Sequence, residues 1–119
     1  MPVTVARSES QIRFTPIGSY AFEEVLEAVT DAILPPGTER RMLGILDVRQ
    51  SEELREPQEL RTLARRLAAP GVFSSFAVVA KRAVHYGLAR MLSVFAQQEG
   101  LELVAFRSED AALEWLGST

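Results

Sequence analysis

The segment Met42–Asp47 constrains the fold of this chain more than any other. It reads Met-Leu-Gly-Ile-Leu-Asp, so five uncharged residues run into a single carboxylate, and a polar stretch begins at Arg49. A short continuous apolar run is typical of a β-strand buried on both faces, whereas a half-buried strand alternates apolar and polar residues. The segment therefore predicts a central strand of an α/β sheet. Asp47 would lie at its carboxyl end, where open sheets of this class bind their ligands.

The length and residue types limit the chemistry available to the chain. With 119 residues it is predicted to form a single domain over residues 1–119, because domains most often have about 100 to 150 residues. It has no cysteine, which excludes disulfides and thiolate metal sites. A zinc site at the one histidine, His85, would need mostly carboxylate ligands, an uncommon set. We therefore expect no metal site.

Charge and hydropathy indicate where the protein acts. The net charge is −3, from 16 acidic and 13 basic residues, and this argues against a nucleic-acid partner because phosphate binding needs a basic face. No apolar run approaches the roughly 18 residues that span a bilayer, and the chain does not open with a signal-peptide pattern. We expect a soluble, cytoplasmic protein without a membrane span.

Periodic patterns predict the order of helices and strands. Alternating runs over residues 3–7 and 11–15 indicate two strands, and the three residues between them suit a hairpin loop. Amphipathic helices are predicted to start near Ser19, Pro57, Val84 and Ser108. The Pro-Pro-Gly segment 35–37 is expected to end the first helix, and the other strands are predicted at about 41–48, 76–80 and 101–106. This order predicts a mixed five-stranded sheet that opens with an antiparallel hairpin, has its last three strands parallel and carries four helices.

Four segments resemble a known family. They are Leu43–Val48, Phe76–Ala80, Tyr86–Met91 and the carboxyl-terminal stretch Val104–Leu116. In this order they resemble the STAS domain of anti-sigma-factor antagonists and, more closely, the SpoIIAA-like group, which is also labelled STAS/SEC14-like. The resemblance spans nearly the whole chain and implies the STAS (SpoIIAA-like) fold. The segments are packing and capping motifs, and none is a catalytic signature.

The resemblance also implies a regulatory switch that this chain lacks. In the phosphorylatable antagonists the third strand ends in Asp followed by a phospho-acceptor Ser. Asp47 matches the acid, but Val48 stands at the acceptor position, and an aliphatic side chain cannot accept phosphate. Ser51 is the nearest hydroxyl and lies in a Glu-rich loop that would repel a phosphate. We expect no phosphorylation switch here.

Familiar catalytic arrangements are incomplete in the sequence. Asp47 and Lys81 both end strands, as in phospho-acceptor receiver domains, but the acidic pair that would hold Mg²⁺ after the first strand is absent. No glycine-rich phosphate loop is present, so we expect no nucleotide cofactor. A carboxylate in such a position more often accepts hydrogen bonds from the following loop than takes part in a reaction, and we expect the same of Asp47. His85 and Tyr86, after the fourth strand, can either contact a ligand or pack the start of a helix.

The preferred interpretation is a non-enzymatic STAS-like regulatory module that binds another protein or a second copy of itself. Its expected contact surface comprises the loops 47–56 and 81–86, at one end of the sheet. Phe73 is added because it follows Pro-Gly in a loop and looks hard to bury. The candidate contact residues are Asp47, Arg49, Ser51, Phe73, Lys81, His85 and Tyr86.

Two alternatives stay open. The SEC14-like label implies a small apolar ligand, such as a lipid, in a cavity between the helices and the sheet. Aromatic and methionine side chains at helical spacing can line such a cavity, although they more often form plain core. The other alternative is an enzyme that uses Asp47, His85 and Tyr86, for which the sequence supplies no adjacent nucleophile.

Overall fold

The computed structural model describes residues 2–33, 41–69 and 71–118. Within these ranges the strands are β1 (Val3–Arg7), β2 (Gln11–Pro16), β3 (Met42–Asp47), β4 (Phe73–Val79) and β5 (Leu103–Phe106). The helices are α1 (Phe22–Ile33), α2 (Pro57–Ala68), α3 (Ala83–Gln98) and α4 (Glu109–Gly117). The strands lie side by side in chain order, with β1 antiparallel to β2 and every other neighbouring pair parallel. The predicted mixed α/β sheet with an opening hairpin is confirmed.

The two faces of the sheet carry different helices. Helices α1, α2 and α3 cover one face over the larger core, and α4 packs on the opposite face against β4 and β5. Because successive side chains of a strand point to opposite faces, Met42 and Leu46 of β3 enter the larger core while Ile45 enters the smaller one. Asp47 follows Ile45 by two residues, so it faces the α4 side.

A close approach at Gly44 fixes the centre of the larger core. A Cβ atom at Gly44 would overlap the ring of Phe76 and come within 2.9 Å of Phe73. These two rings pack edge to face with centroids 5.0 Å apart, and Phe14 lies beside both. Glycine is therefore required at this point of β3 for the aromatic side chains to pack.

Several element boundaries differ from prediction, and β5, for example, begins at Leu103 instead of residue 101. Helix α1 begins at Phe22 and not just after Ser19, because residues 17 and 18 form a loop bonded to other parts of the chain. Ala21 N–H donates to the Glu24 carboxylate at 2.9 Å, which satisfies one free donor at this helix start. Strand β4 begins at Phe73, three residues earlier than predicted. The Pro-Pro-Gly segment 35–37 lies outside the described residues.

The helical spacing of apolar residues predicts an inward stripe on α3 made of Val84, Leu88, Met91, Leu92 and Phe95, and the observed inward face is rotated relative to it. Its buried residues are His85, Ala89, Leu92 and Ala96, whereas Val84 is 44% exposed. The small alanines occupy little space, so this row packs inward, and Leu88, Met91 and Phe95 lie half-buried beside it. The rotation places the single histidine of the chain inside the protein.

Candidate functional site

Three loops meet at the carboxyl end of the parallel strands. Gly18 N–H donates to Gln50 O at 2.8 Å, and Glu52 N–H donates to Gly18 O at 2.9 Å. Gly18 has φ of 68°, in the left-handed region that glycine adopts without strain. The start of α3 joins these loops through His85, whose Nε2 lies 3.0 Å from Glu53 O. We call residues 17–21, 48–56 and 81–86 the carboxyl-edge surface.

Asp47 is bound by two arginines. Its side chain is 3% exposed, and its two oxygens accept four hydrogen bonds. Arg49 donates from its backbone N–H at 3.1 Å, from Nε at 2.9 Å and from Nη2 at 2.8 Å. Arg13, on the neighbouring strand β2, donates from Nη2 at 2.7 Å. Both carboxylate oxygens are thus engaged by cationic donors, which form the stronger class of hydrogen bond.

A second carboxylate completes this group of charges. Glu109, in the first turn of α4, forms an ion pair with Arg13 and lies 3.5 Å from Arg49. We call Arg13, Asp47, Arg49 and Glu109 the Asp47 cluster. With two cations and two anions the cluster has no net charge, and it links β2, β3 and α4.

The cluster sets the protonation state of Asp47. Burial alone would raise the pKa of Asp47, but hydrogen bonds from Arg49 and Arg13 outweigh burial and lower the pKa below its usual 3.8. The hydrogen bond with Asp47 in turn raises the pKa of Arg49. Asp47 is therefore ionised at neutral pH and paired. Among the described residues, no three histidine or acidic side chains are grouped as a metal ion would need.

Ser51 is buried rather than displayed on its loop. It is 4% exposed, and its Oγ lies 2.6 Å from the hydroxyl of Tyr20. The same oxygen accepts a hydrogen bond from Glu53 N–H at 3.2 Å. Val48, at the position that matches the phospho-acceptor, is half-buried against the larger core. The Ser51 hydroxyl is thus buried and hydrogen bonded in this conformation.

His85 lines a cavity between the sheet and helices α1, α2 and α3. The cavity has a volume of about 60 Å³. Its polar end lies at the carboxyl-edge surface and its walls are apolar. The polar lining residues are Tyr20, Ser51, Glu53, Arg55 and His85; the apolar ones include Phe22, Val25, Leu46, Leu60, Leu63 and Leu92. His85 itself is 4% exposed.

The remaining candidate residues are divided between the two ends of the sheet. Lys81 is exposed at the carboxyl-edge surface, and the half-buried Tyr86 lies under Arg107, whose guanidinium is 5.4 Å from the ring centre. Phe73 lies at the opposite end, where β4 starts, and is 2% exposed. The expectation of an exposed loop position for Phe73 is wrong, because β4 begins there and its ring completes the aromatic core with Phe14 and Phe76.

Sequence reasoning missed the partners of the candidate residues. Arg13 and Glu109 complete the Asp47 cluster, and Tyr20 holds Ser51. The alternation of β2 does indicate that Arg13 faces away from Ile12 and Phe14. Its pairing with Asp47 depends on the register between β2 and β3, which the sequence does not specify.

The strand order, the opening hairpin and the placement of the four helices define a SpoIIAA-like, STAS-like α/β domain. Among solved structures, the chain is similar to that of an uncharacterized protein from the DUF3478 family with a SpoIIAA-like fold, from Shewanella loihica PV-4. The TM-score is 0.63 and the identity 16%, and the match covers 96% of this chain and 91% of the other. The likeness confirms the predicted fold.

Comparisons of the sequence itself found no match. No protein-family model matches the chain, and no curated protein matches it either. In the ranges that the structure describes, none of the helices combines the length and the apolar character needed to cross a bilayer.

Proposed function

We propose that the protein is a non-enzymatic regulatory module that binds another protein chain through the carboxyl-edge surface. The observation that carries this proposal is a set of exposed aliphatic side chains on three separate parts of that surface. Ile17 is 43% exposed, Leu54 is 55% exposed and Val84 is 44% exposed. Exposed apolar side chains that gather at one place mark interaction sites, whereas single scattered ones are ordinary.

Hydrogen bonds hold the three segments that carry these side chains together at the carboxyl end of the sheet. The bonds between Gly18 and the loop 50–52 bring the segment with Ile17 against the β3–α2 loop, which carries Leu54. The bond between His85 and Glu53 brings the start of α3, with Val84, to the same loop. A surface already ordered in the free protein loses little conformational entropy on binding, which favours a role in recognition.

The polar side chains at this edge support binding over catalysis. Both oxygens of Asp47 are engaged by arginines, so this carboxylate is held as a structural anion rather than as a free base. Ser51 is buried against Tyr20. Among the described side chains, His85 has no hydrogen bond to a hydroxyl that it could activate. Charged side chains such as Lys81 and Glu52 instead give the surface the polar rim typical of protein interfaces.

The size of the cavity disfavours the lipid alternative. The cavity has a volume of only about 60 Å³. Sites for drug-sized ligands have about 300 Å³ or more. An acyl chain would therefore have to separate the helices from the sheet. A protein partner needs no such opening because the aliphatic side chains are already exposed.

Substitutions on the surface test the proposal. The double variant Leu54→Glu, Val84→Glu places charges on the aliphatic patch, and Val94→Glu is the matched control because Val94 is 53% exposed on α3 outside the surface. In affinity purification, we expect a specific partner with wild type and with the control, and at least about tenfold weaker binding with the double variant. If the partner is a second copy, the same double variant will dissociate a dimer in analytical ultracentrifugation.

Three results would contradict the proposal. The first is a protein without specific partner or self-association. The second is partner binding that the double variant leaves unchanged. The third is a co-purifying lipid, detected by native mass spectrometry, which would favour the apolar-ligand alternative.

A further inference from the structure

The hydrogen bond at His85 defines which ring nitrogen carries the proton. The carbonyl oxygen of Glu53 can only accept, so Nε2 of His85 donates to it at 3.0 Å. In the neutral imidazole the other nitrogen, Nδ1, then presents a lone pair. Nδ1 is fully buried, and no group among the described residues hydrogen bonds to it. A buried acceptor without a donor is costly and uncommon in folded proteins, so Nδ1 points to a ligand that donates.

The cavity beside His85 limits the size of such a ligand. Its volume of about 60 Å³ fits a compact molecule of about four non-hydrogen atoms, and a larger one would extend through the mouth. The polar part of the lining contains His85, Ser51 and Tyr20, and the rest is mostly aliphatic and aromatic. A molecule with one polar end and one apolar end matches this lining.

The charges around the cavity select a neutral ligand. Arg55 is the cation in the lining, and its guanidinium lies 3.9 Å from the Glu53 carboxylate and 3.8 Å from that of Glu59. It also donates to Tyr20 O at 3.0 Å. An anion would therefore meet the lone pair of His85 and the carboxylate of Glu53 without a free cation. An ammonium group would lose its hydration to apolar walls, which is unfavourable.

We propose that this cavity binds a small neutral alcohol, whose hydroxyl donates to Nδ1 of His85 and whose aliphatic part packs against the apolar walls. The hydroxyl oxygen of such a ligand also has a donor nearby. Only one hydrogen can lie between the oxygens of Ser51 and Tyr20, so among the described groups the second hydroxyl hydrogen is free to point to the ligand. This site is independent of the proposed protein partner, which contacts the exposed side chains and not the cavity.

The single histidine makes the test direct, because only His85 contributes imidazole nitrogen signals to the NMR spectrum. The probes are 2-propanol and acetone, which have the same heavy-atom connectivity and nearly the same size, although acetone lacks the hydrogen-bond donor. We expect 2-propanol to shift the Nδ1 signal saturably. Its dissociation constant should lie in the millimolar range because so small a molecule makes few contacts. Acetone should bind at least about tenfold more weakly, as expected when a buried acceptor is left unpaired.

Two results of this experiment would overturn the proposal. Equal affinity for the two probes would mean that Nδ1 does not select a donor. No saturable shift with either probe would mean that Nδ1 is satisfied by a bound water only. Both comparisons use the wild-type protein, so neither depends on a variant that fails to fold.

Two variants of α3 locate the binding. Ala89→Leu adds side-chain volume inside the cavity and should abolish the effect of 2-propanol, whereas Val94→Leu on the exposed face should preserve it. Retained binding in a folded Ala89→Leu protein would place the alcohol elsewhere and refute the site. Leu54 and Val84 are outside the lining, so the double variant that tests the protein partner should still bind 2-propanol, and the two proposals can fail separately.

Discussion

Replacing Asp47 with asparagine distinguishes a structural carboxylate from one held ready for a ligand. Asparagine keeps the shape of the side chain but removes its charge and turns one acceptor into an NH₂ donor. That donor would face guanidinium N–H groups of Arg13 and Arg49, which now bond to the carboxylate at 2.7 to 2.9 Å. The variant should therefore be less stable than wild type.

The size of the loss follows from the burial of the three groups. Removing one partner of a fully buried ion pair costs about 3–5 kcal/mol, and a single hydrogen bond to a charged group contributes about 1.5–3 kcal/mol. Here the Asp47 side chain is 3% exposed, but Arg13 is 23% and Arg49 34% exposed. Both arginines can regain water and keep Glu109. We therefore expect a loss of about 2–3 kcal/mol in the free energy of unfolding.

Urea denaturation at neutral pH measures this loss. The matched control is Glu102→Gln, at an exposed position away from the cluster, which should stay within about 0.5 kcal/mol of wild type. The pKa of Asp47 is lowered in the folded state, so its contribution is complete above the usual value of 3.8 and disappears as the pH falls through the lower folded value. The difference between wild type and Asp47→Asn should accordingly shrink in acid.

One outcome would refute this reasoning about Asp47. Groups held for function often reduce stability, and their replacement then stabilises the protein. If Asp47→Asn were as stable as wild type or more stable, the carboxylate would not be an anchor of the fold, and a working role would return to consideration.

Three further predictions concern the packing at Gly44 and the burial of Ser51. Gly44→Ala should lower the free energy of unfolding by about 1–3 kcal/mol, measured by heat or urea, because its Cβ would overlap Phe76. The control Gly87→Ala has open space around its Cβ in α3 and should raise the free energy of unfolding by about 0.5–1 kcal/mol. Equal effects of the two substitutions would contradict the packing at Gly44. Ser51→Asp should lose about 2 kcal/mol or more, since it buries a carboxylate beside Tyr20. Intact mass after kinase treatment should show no phosphate on residues 47–53 of the folded protein, and stoichiometric phosphate there would contradict the burial of Ser51.

The sequence predicted the parts of the fold that depend on local pattern. Strand β3 was predicted within one residue at each end because a short continuous apolar run is typical of a strand buried on both faces. The inward face of α3 was predicted incorrectly. The prediction favoured large apolar side chains over the small alanines at positions 89 and 96, but the elements packed against a helix decide which of its rows faces inward. The partners of Asp47 also depend on long-range pairing, since Arg13 lies 34 residues earlier.

The unequal cores on the two sides of the sheet have a consequence for local stability. Among the described residues, the core beneath α1, α2 and α3 contains twenty-one buried side chains, and the core beneath α4 contains five. Local opening is easiest where few apolar contacts must break, so the amide protons of α4 should exchange with solvent before those of the other helices. Because Glu109 ties α4 to Arg13 and Arg49, each such opening also loosens the β3–α2 loop. Fluctuation of the last helix is thereby coupled to the β3–α2 loop, which belongs to the carboxyl-edge surface.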